Sequence, residues 1–285
     1  MSPVRQIPFG FSPCPNDTFA FWGACHGAVP AAFELVPVLA DIEALNERAI
    51  TGRDALPVTK LSLPALARVS DRYAVLRSGA ALGFGCGPLV VCRTDSSLRS
   101  LADLSTARVA IPGLHTTAFL LLSSLGPVPV ATVAMRFDEV MPAGAAGDCD
   151  AGLVIHESRF TYRAHGLREL ADLGGLWERA TGHPLPLGVI ACSRDLDDAT
   201  VAAIEATLRR SVELARAEPH RPRAFVRAHA RELDDDVCDR HIALYVNDFT
   251  VDLGARGRAA IEDLLARGRA VGLLPPGPSP FWEEP

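Results

Sequence analysis

Lysine is almost missing from this chain of 285 residues: of 28 basic side chains only Lys60 is a lysine, and the rest are arginine. Methionine, tryptophan and tyrosine occur three times each, and aromatic residues make up 6%. A basic excess is absent too, because the formal net charge is -6 and the arginines are scattered among acids. That removes the electrostatic footprint nucleic acid requires, so no nucleic-acid partner is expected. There is no apolar run long enough to cross a bilayer, and Met1 to Gly10 has neither the length nor the pattern of a leader. The expectation is a cytoplasmic protein with no membrane partner. Seven cysteines (14, 25, 86, 92, 149, 192 and 238) form no CxxC pair, which argues against a disulfide framework and a zinc ribbon. His156-Glu157 does not extend to HExxH, since position 160 is Phe, and no metal or other cofactor is predicted.

What is present is the composition of a packed fold, 48% hydrophobic and 22% charged. Short apolar strands alternate with helical patterns. Strands are predicted at Ile7 to Phe11, Leu35 to Leu39, Leu56 to Thr59, Ala74 to Leu76, Leu89 to Cys92, Arg108 to Ile111, Ala131 to Arg136, Gly152 to Ile155 and Leu187 to Cys192. Helices are predicted at Thr18 to His26, with Asn16-Asp17 offering a cap, at Ile42 to Thr51 before Gly52, at Thr116 to Leu125 and at Glu139 to Gly147. Gly79 to Gly87 reads as a flexible or close-approach segment. After Asp195 the pattern is helical throughout: Ala199 to Ala217, Pro222 to Arg231, Asp235 to Val246 and Gly254 to Gly268. These strandless helices need a sheet to cover. The simplest packing is an α/β fold of two lobes with a central cleft, residues 1–92 with 193–285 forming a large lobe and 93–192 an inserted smaller one. Two hinge crossings are then expected near Leu89 to Cys92 and Leu187 to Cys192.

Ligands of open α/β sheets gather at the carboxyl ends of strands, which selects Ser12 to Asp17, Thr59 to Ser62, Gly113 to Thr117 and His156 to Arg159. Thr116 and Thr117 stand where a helix begins, so hydroxyls and free N–H groups there suit a small carboxylate substrate. Alone, the pair is equally an N-cap and a space filler. Lys60 and Ser62 offer a charge and a hydroxyl to the same anion. His115 precedes the threonines and is a candidate contact, as are Asn16 and Asp17. The apolar strand before His156 ends on an imidazole whose ordinary pKa suits a general base, with Glu157 or Arg159 to orient it or the substrate. A half-buried histidine beside a Glu-Arg pair is the plainer alternative. Cys14 lies near a helix start, where a thiolate gains stability, although a buried thiol is the commoner outcome. The remaining histidines, His241 among them, show no partner at useful spacing.

Four ordered runs carry a resemblance: Phe11-Ser-Pro-Cys-Pro-Asn-Asp-Thr-Phe19, Thr59-Lys-Leu-Ser62, His115-Thr-Thr-Ala118 and Ile155-His-Glu-Ser-Arg-Phe-Thr-Tyr162. Together with Arg72-Tyr73, Leu185 to Gly188 and Tyr245-Val-Asn247, they make the chain similar to the 1,4-dihydroxy-6-naphthoate synthases of the futalosine route to menaquinone over nearly its whole length. The resemblance implies a type II periplasmic-binding-protein-like fold and a carbon-carbon lyase acting on cyclic dehypoxanthine futalosine. It implies His156 as proton acceptor, and Lys60, Leu61 and Ser62 with Thr116 and Thr117 as substrate-binding segments. Two rivals remain, the chorismate dehydratase of the same route and a non-catalytic solute-binding protein. The Ile155 to Tyr162 run points away from the first, and the lack of a leader or anchor cysteine away from the second.

Overall fold

The computed structural model describes residues 4–126, 129, 131–230 and 234–283. Arg231, where a helix end was expected, lies outside them. The chain begins with alternating units: β1 (Arg5–Phe11), α1 (Pro15–Cys25), β2 (Phe33–Leu39), α2 (Ile42–Thr51), β3 (Val58–Ser62), α3 (Leu63–Val69), β4 (Tyr73–Val75) and β5 (Ala81–Gly83). It continues with β6 (Leu89–Arg93), a 3-10 turn at Leu101–Thr106, β7 (Arg108–Ile111), α4 (Thr117–Leu125), β8 (Ala131–Ala134), α5 (Phe137–Ala146) and β9 (Ala151–Val154). Then follow α6 (Ser158–Thr161), a second 3-10 turn at Tyr162–His165, β10 (Leu167–Asp172), α7 (Leu173–Thr181) and β11 (Leu185–Ser193). Five helices end the chain: α8 (Asp198–Ala217), α9 (Arg223–His229), α10 (Asp235–Tyr245), α11 (Asp248–Val251) and α12 (Gly254–Ala270).

Two sheets result. The first runs β2-β1-β3-β11-β4, with β5 also paired to β11, and the second runs β10-β6-β9-β7-β8. β1 is parallel to β2 and β3, as strands joined by crossover helices must be, whereas β11 is antiparallel to β3, β4 and β5. The aromatic rings of Phe9, Phe11 and Phe21 meet with centroids 4.9 to 5.3 Å apart, and α8 closes over them with Val201, Ile204, Leu208 and Val212. The late helices therefore cover the first sheet, and their apolar stripes have a reason to exist.

Two strands sit in the opposite sheet from the one assigned by the lobe boundaries. β6, placed with residues 1–92, is hydrogen-bonded between β10 and β9 in the second sheet. β11, placed with the insertion, is the hub of the first sheet. Both are largely apolar runs, and such runs reveal burial but not which neighbour they pair with. The crossings accordingly fall between β5 and β6 and between α7 and β11. There the chain passes itself at backbone distance. A Cβ at Gly174 would lie 1.9 Å from the Cys86 carbonyl oxygen, and one at Gly87, where φ is +115°, would lie 2.5 Å from Leu185 Cδ2. The close-approach reading of the glycine-rich segment is met at these contacts.

Local chemistry also moved some boundaries. Helix α1 starts at Pro15, a residue suited to the first helical position, so Asn16 and Asp17 fall inside its first turn rather than capping it. The strand expected at Leu56 to Thr59 starts after Pro57 and runs to Ser62, because β11 pairs with it as far as Gly188. Elements α3, β5, α6, β10, α7 and α11 add to those expected.

Candidate active site

The strand ends and helix starts from both sheets meet around one cavity. It is lined by Asn16, Lys60, Ser62, Thr116, Thr117, His156, His241 and Tyr245, with apolar walls from Ile42, Ala81, Pro88, Ala118, Ile155 and Leu187. Its volume is about 70 Å³.

Strand β3 delivers the first group by its period of two: Lys60 and Ser62 line the cavity, while Leu61 turns to the opposite side and is fully buried in the core. Lys60 Nζ lies 2.5 Å from Asp17 Oδ1. Asp17 also accepts from the Ser12 backbone N–H (3.2 Å) and from Asn16 Nδ2 (2.7 Å). Burial pushes the Asp17 carboxyl up, and the Lys60 ammonium and these donors act against it. The one lysine thus has a fixed internal partner. The cause is spatial, since β3 runs beside β1 and ends level with the first turn of α1. Gly188 opposite leaves room for the lysine stem: a Cβ there would meet Lys60 Cε at 3.3 Å.

At the start of α4, Thr116 caps the helix by accepting from Phe119 N–H (3.2 Å) and donates to Gly113 O (2.9 Å). Thr117 donates to Leu187 O (2.6 Å) and accepts from Leu63 N–H (3.2 Å). Both hydroxyls are committed to the protein. What this helix end offers an anion is its first-turn N–H groups at Thr117 and Ala118, which have no acceptor inside the helix. Ser62 is tied to Asn46, whose side chain reaches both Ser62 Oγ (3.1 Å) and His115 O (3.2 Å). His115 contributes its backbone in the same place, its N–H donating to Glu43 Oε1 at 2.9 Å. Its ring is outside the cavity lining. Glu43 and Asn46 therefore fasten α2, which follows a strand of the first sheet, to the turn before α4 on the second.

His156 follows the end of β9 and has φ of +57°, a left-handed conformation uncommon outside glycine that asparagine, aspartate and histidine adopt more readily than other residues. Such strain persists where the surroundings over-determine it. Its ring stands edge-on to Phe137 with centroids 4.8 Å apart, and Nε2 is buried without a hydrogen-bond partner. Burial and then the Lys60 ammonium push its pKa down to about 3. The ring is thus neutral, with a lone pair ready to take a proton. Arg159, by contrast, is spent on structure: its guanidinium holds Asp172 (2.6 Å) and Gly87 O (3.0 Å), pinning α6 to the crossing.

His241 and Tyr245 are the lining residues that the sequence reading missed. They stand four apart on α10, on the face that also buries Val237 and Cys238, and their rings are 4.6 Å apart. A histidine on the apolar stripe of an amphipathic helix was the available signal. Its ring centroid is 6.2 Å from that of His156. Burial, then His156, then Lys60 hold His241 well below the ordinary histidine range. Burial raises the Tyr245 phenol.

Cys14, His156 and Glu157 bring one potential ligand atom each within 4.8 Å of one another. Burial, with Glu157 next, pushes the Cys14 thiol well above its ordinary value, so the thiolate reading does not hold. The Lys60 ammonium also acts on the same imidazole.

The two depressed histidines make a prediction about stability. Both titrate lower in the folded chain than in the unfolded one, where imidazole has its ordinary pKa of about 6.5. Between its two values His156 leaves the unfolded chain binding more protons, so its contribution to stability is complete above about pH 6.5 and is lost as pH falls toward about 3, and His241 acts in the same direction. Each histidine removes up to about 1.4 kcal/mol per pH unit in that window. Thermal melts from pH 8 to 4 should show the midpoint dropping below about pH 6.5, and His156→Asn should flatten the slope. Equal slopes in the two proteins would show that His156 titrates normally.

Paired strands that end at one cleft, with helix N-termini around it, define the solute-binding-protein class of fold. The same architecture occurs in the alkanesulfonate-binding protein of Xanthomonas axonopodis pv. citri, with a TM-score of 0.70, 20% identity and coverage of 97% of this chain and 96% of that one. The family is narrower than the fold. The model of the menaquinone biosynthesis family matches residues 7–270, and the chain belongs to that family. It is 50% identical to a 1,4-dihydroxy-6-naphtoate synthase of Thermus thermophilus over 281 residues, spanning 98% of this chain and 100% of that protein. It is 46% identical to a protein of the same name from Streptomyces coelicolor over 274 residues, 94% of this chain and 95% of that protein.

Proposed function

We propose that the chain is a carbon-carbon lyase of menaquinone biosynthesis, converting cyclic dehypoxanthine futalosine to 1,4-dihydroxy-6-naphthoate. The observation that carries this reading is the end-to-end identity of 50% with a synthase of that name, over a cavity that gathers Asn16, Lys60, Ser62, Thr116, Thr117 and His156. Neither the dehydratase nor a non-catalytic binding role is favoured by that likeness.

In this mechanism the substrate carboxylate sits at the start of α4, against the N–H groups of Thr117 and Ala118, with the Lys60 ammonium adding charge. His156 is the proton acceptor. A bound carboxylate within ~4–6 Å favours the imidazolium, so substrate raises the basicity that the free site suppresses. Removal of the proton starts the fragmentation, and aromatisation of the bicyclic product drives it. The two sheets are taken to separate to admit substrate and to close again around it. Closure excludes water and fixes the reacting conformer.

The enzyme is taken to need no metal or organic cofactor. It is also placed in the cytoplasm. Among the described residues no helix is long and apolar enough to cross a membrane. Incubating the purified protein with cyclic dehypoxanthine futalosine should release the naphthoate, followed by its absorbance, and prior treatment with EDTA should leave the rate unchanged. Binding without turnover would return the chain to the solute-binding class, and a rate abolished by EDTA and restored by a metal would overturn the metal-free mechanism.

A further inference from the structure

Lys60, Asp17, Asn16 and His241 form one hydrogen-bonded chain along the cavity, with steps of 2.5, 2.7 and 2.9 Å. Its polarity can be read from the donors. A lysine ammonium only donates, and the Asp17 carboxylate beside it, taking a further bond from Ser12 N–H, only accepts. The Asn16 group facing Asp17 must therefore be the amide nitrogen, which turns the amide oxygen toward His241. That oxygen can only accept, so Nε2 of His241 carries a hydrogen. The other nitrogen, Nδ1, is left with a lone pair, and it is buried without a hydrogen-bond partner. Protonation there is opposed first by burial and also by the Lys60 ammonium, so the ring stays neutral.

An unpaired buried acceptor is destabilising, and a fold keeps one where something else completes it. The ring belongs to the cavity wall, and its neighbours are His156 and Tyr245. We infer that His241 is a second substrate-contacting histidine, whose Nδ1 accepts a hydrogen bond from a hydroxyl on the sugar-derived part of the substrate. Asn16, Asp17 and Lys60 are positioning residues that lock its tautomer. The lone lysine then has a second duty: its charge sets the direction of every bond in the chain. This inference rests on the proposed lyase activity, because that activity supplies the hydroxylated ligand. His156 and His241 divide the work. The first is strained and unbonded, as suits a group that takes a proton, and the second is held in one orientation, as suits a group that aligns.

The test uses His241→Gln, whose amide nitrogen can replace Nε2–H against Asn16 but which has no acceptor where Nδ1 stood. Roughly a 10- to 100-fold loss in kcat/KM is expected, carried mainly by KM, with the melting temperature near that of the parent. With a set of substrate analogues each lacking one sugar hydroxyl, one analogue should give parent and variant equal kcat/KM. Nitrogen-15 spectra of the histidine-labelled parent should show a buried neutral ring protonated at Nε2 and bare at Nδ1, with the Nδ1 signal shifting when substrate binds to the slow His156→Asn protein. An Nδ1–H tautomer, an Nδ1 signal indifferent to substrate, or a folded His241→Gln with parental kcat/KM would overturn the inference. If His241→Gln does not fold, the two spectra decide. A parent protein that never turns substrate over would overturn the lyase reading instead, and the tautomer would still be read directly.

Discussion

Replacing His156 with asparagine should lower kcat by roughly 10²- to 10⁴-fold, the range that a positioned general base contributes. Asparagine is the appropriate probe because it tolerates the left-handed backbone that position 156 requires, where φ is +57°. Alanine would mix the loss of a base with added strain. The variant should fold and bind substrate with little change, so that single-turnover rates and calorimetric binding separate the chemical step from affinity. At neutral pH its stability should stay near the parent's, since the imidazole is uncharged and its Nε2 makes no hydrogen bond. Parental turnover in a folded His156→Asn protein would remove this histidine from the mechanism.

Lys60→Met should be the most damaging single change to stability. It leaves the Asp17 carboxylate buried with its counter-charge gone, and breaking a buried pair from one side costs ~3–5 kcal/mol. Chemical denaturation at pH 7.5 measures that loss directly. Adding Asp17→Leu to Lys60→Met should recover much of it, because two apolar groups of similar volume leave no uncompensated charge. Activity should not return with stability, since the double variant still has no ammonium for the substrate carboxylate. An undiminished unfolding free energy in Lys60→Met would mean that Asp17 is already neutral or freely hydrated. Lys60→Arg is a weaker test of the same point: the guanidinium is bulkier than the space that Gly188 leaves beside Lys60 Cε.

Much of the fold was written in local signals. Apolar runs such as Ile7 to Phe11 and Arg108 to Ile111 became strands, and the Gly52 stop of α2 adopts the left-handed conformation a helix end favours. Pairing partners were not written there. β6 and β11 changed sheets because apolar runs of similar character fit either neighbour, and only the tertiary packing chooses. β10 escaped notice for another reason: Leu167-Arg-Glu-Leu-Ala-Asp172 is an edge strand, and its exposed side carries charges that break the apolar pattern. Helix α7 was hidden by Gly174 and Gly175 in its first turn.

At the site, position was legible and commitment was not. Asn16, Lys60, Ser62, Thr116, Thr117 and His156 converge because strand ends and helix starts converge. The partners that occupy the threonine hydroxyls, the lysine and Arg159 come from segments distant in sequence, and no spacing rule could name them. Asp17, Leu61, His115 and Arg159 hold the frame around the cavity instead of lining it. His241 lies far along the chain from its partner Asn16, and it was seen only once α10 had folded against α1.

The contact of Gly174 with Cys86 places a mechanical limit on the molecule. Where a methyl group would sit 1.9 Å from a carbonyl oxygen, no rotamer change can relieve the clash, since one side of it is main chain. A bulkier residue at 174 would act as a wedge driven between the two passages of the chain, and the angle between the sheets would open to accommodate it. The lining side chains would all survive such a change, yet the two histidines, contributed by different parts of the molecule, would no longer be held at working distance. Catalytic geometry here is set in part by the room that Gly174 does not take.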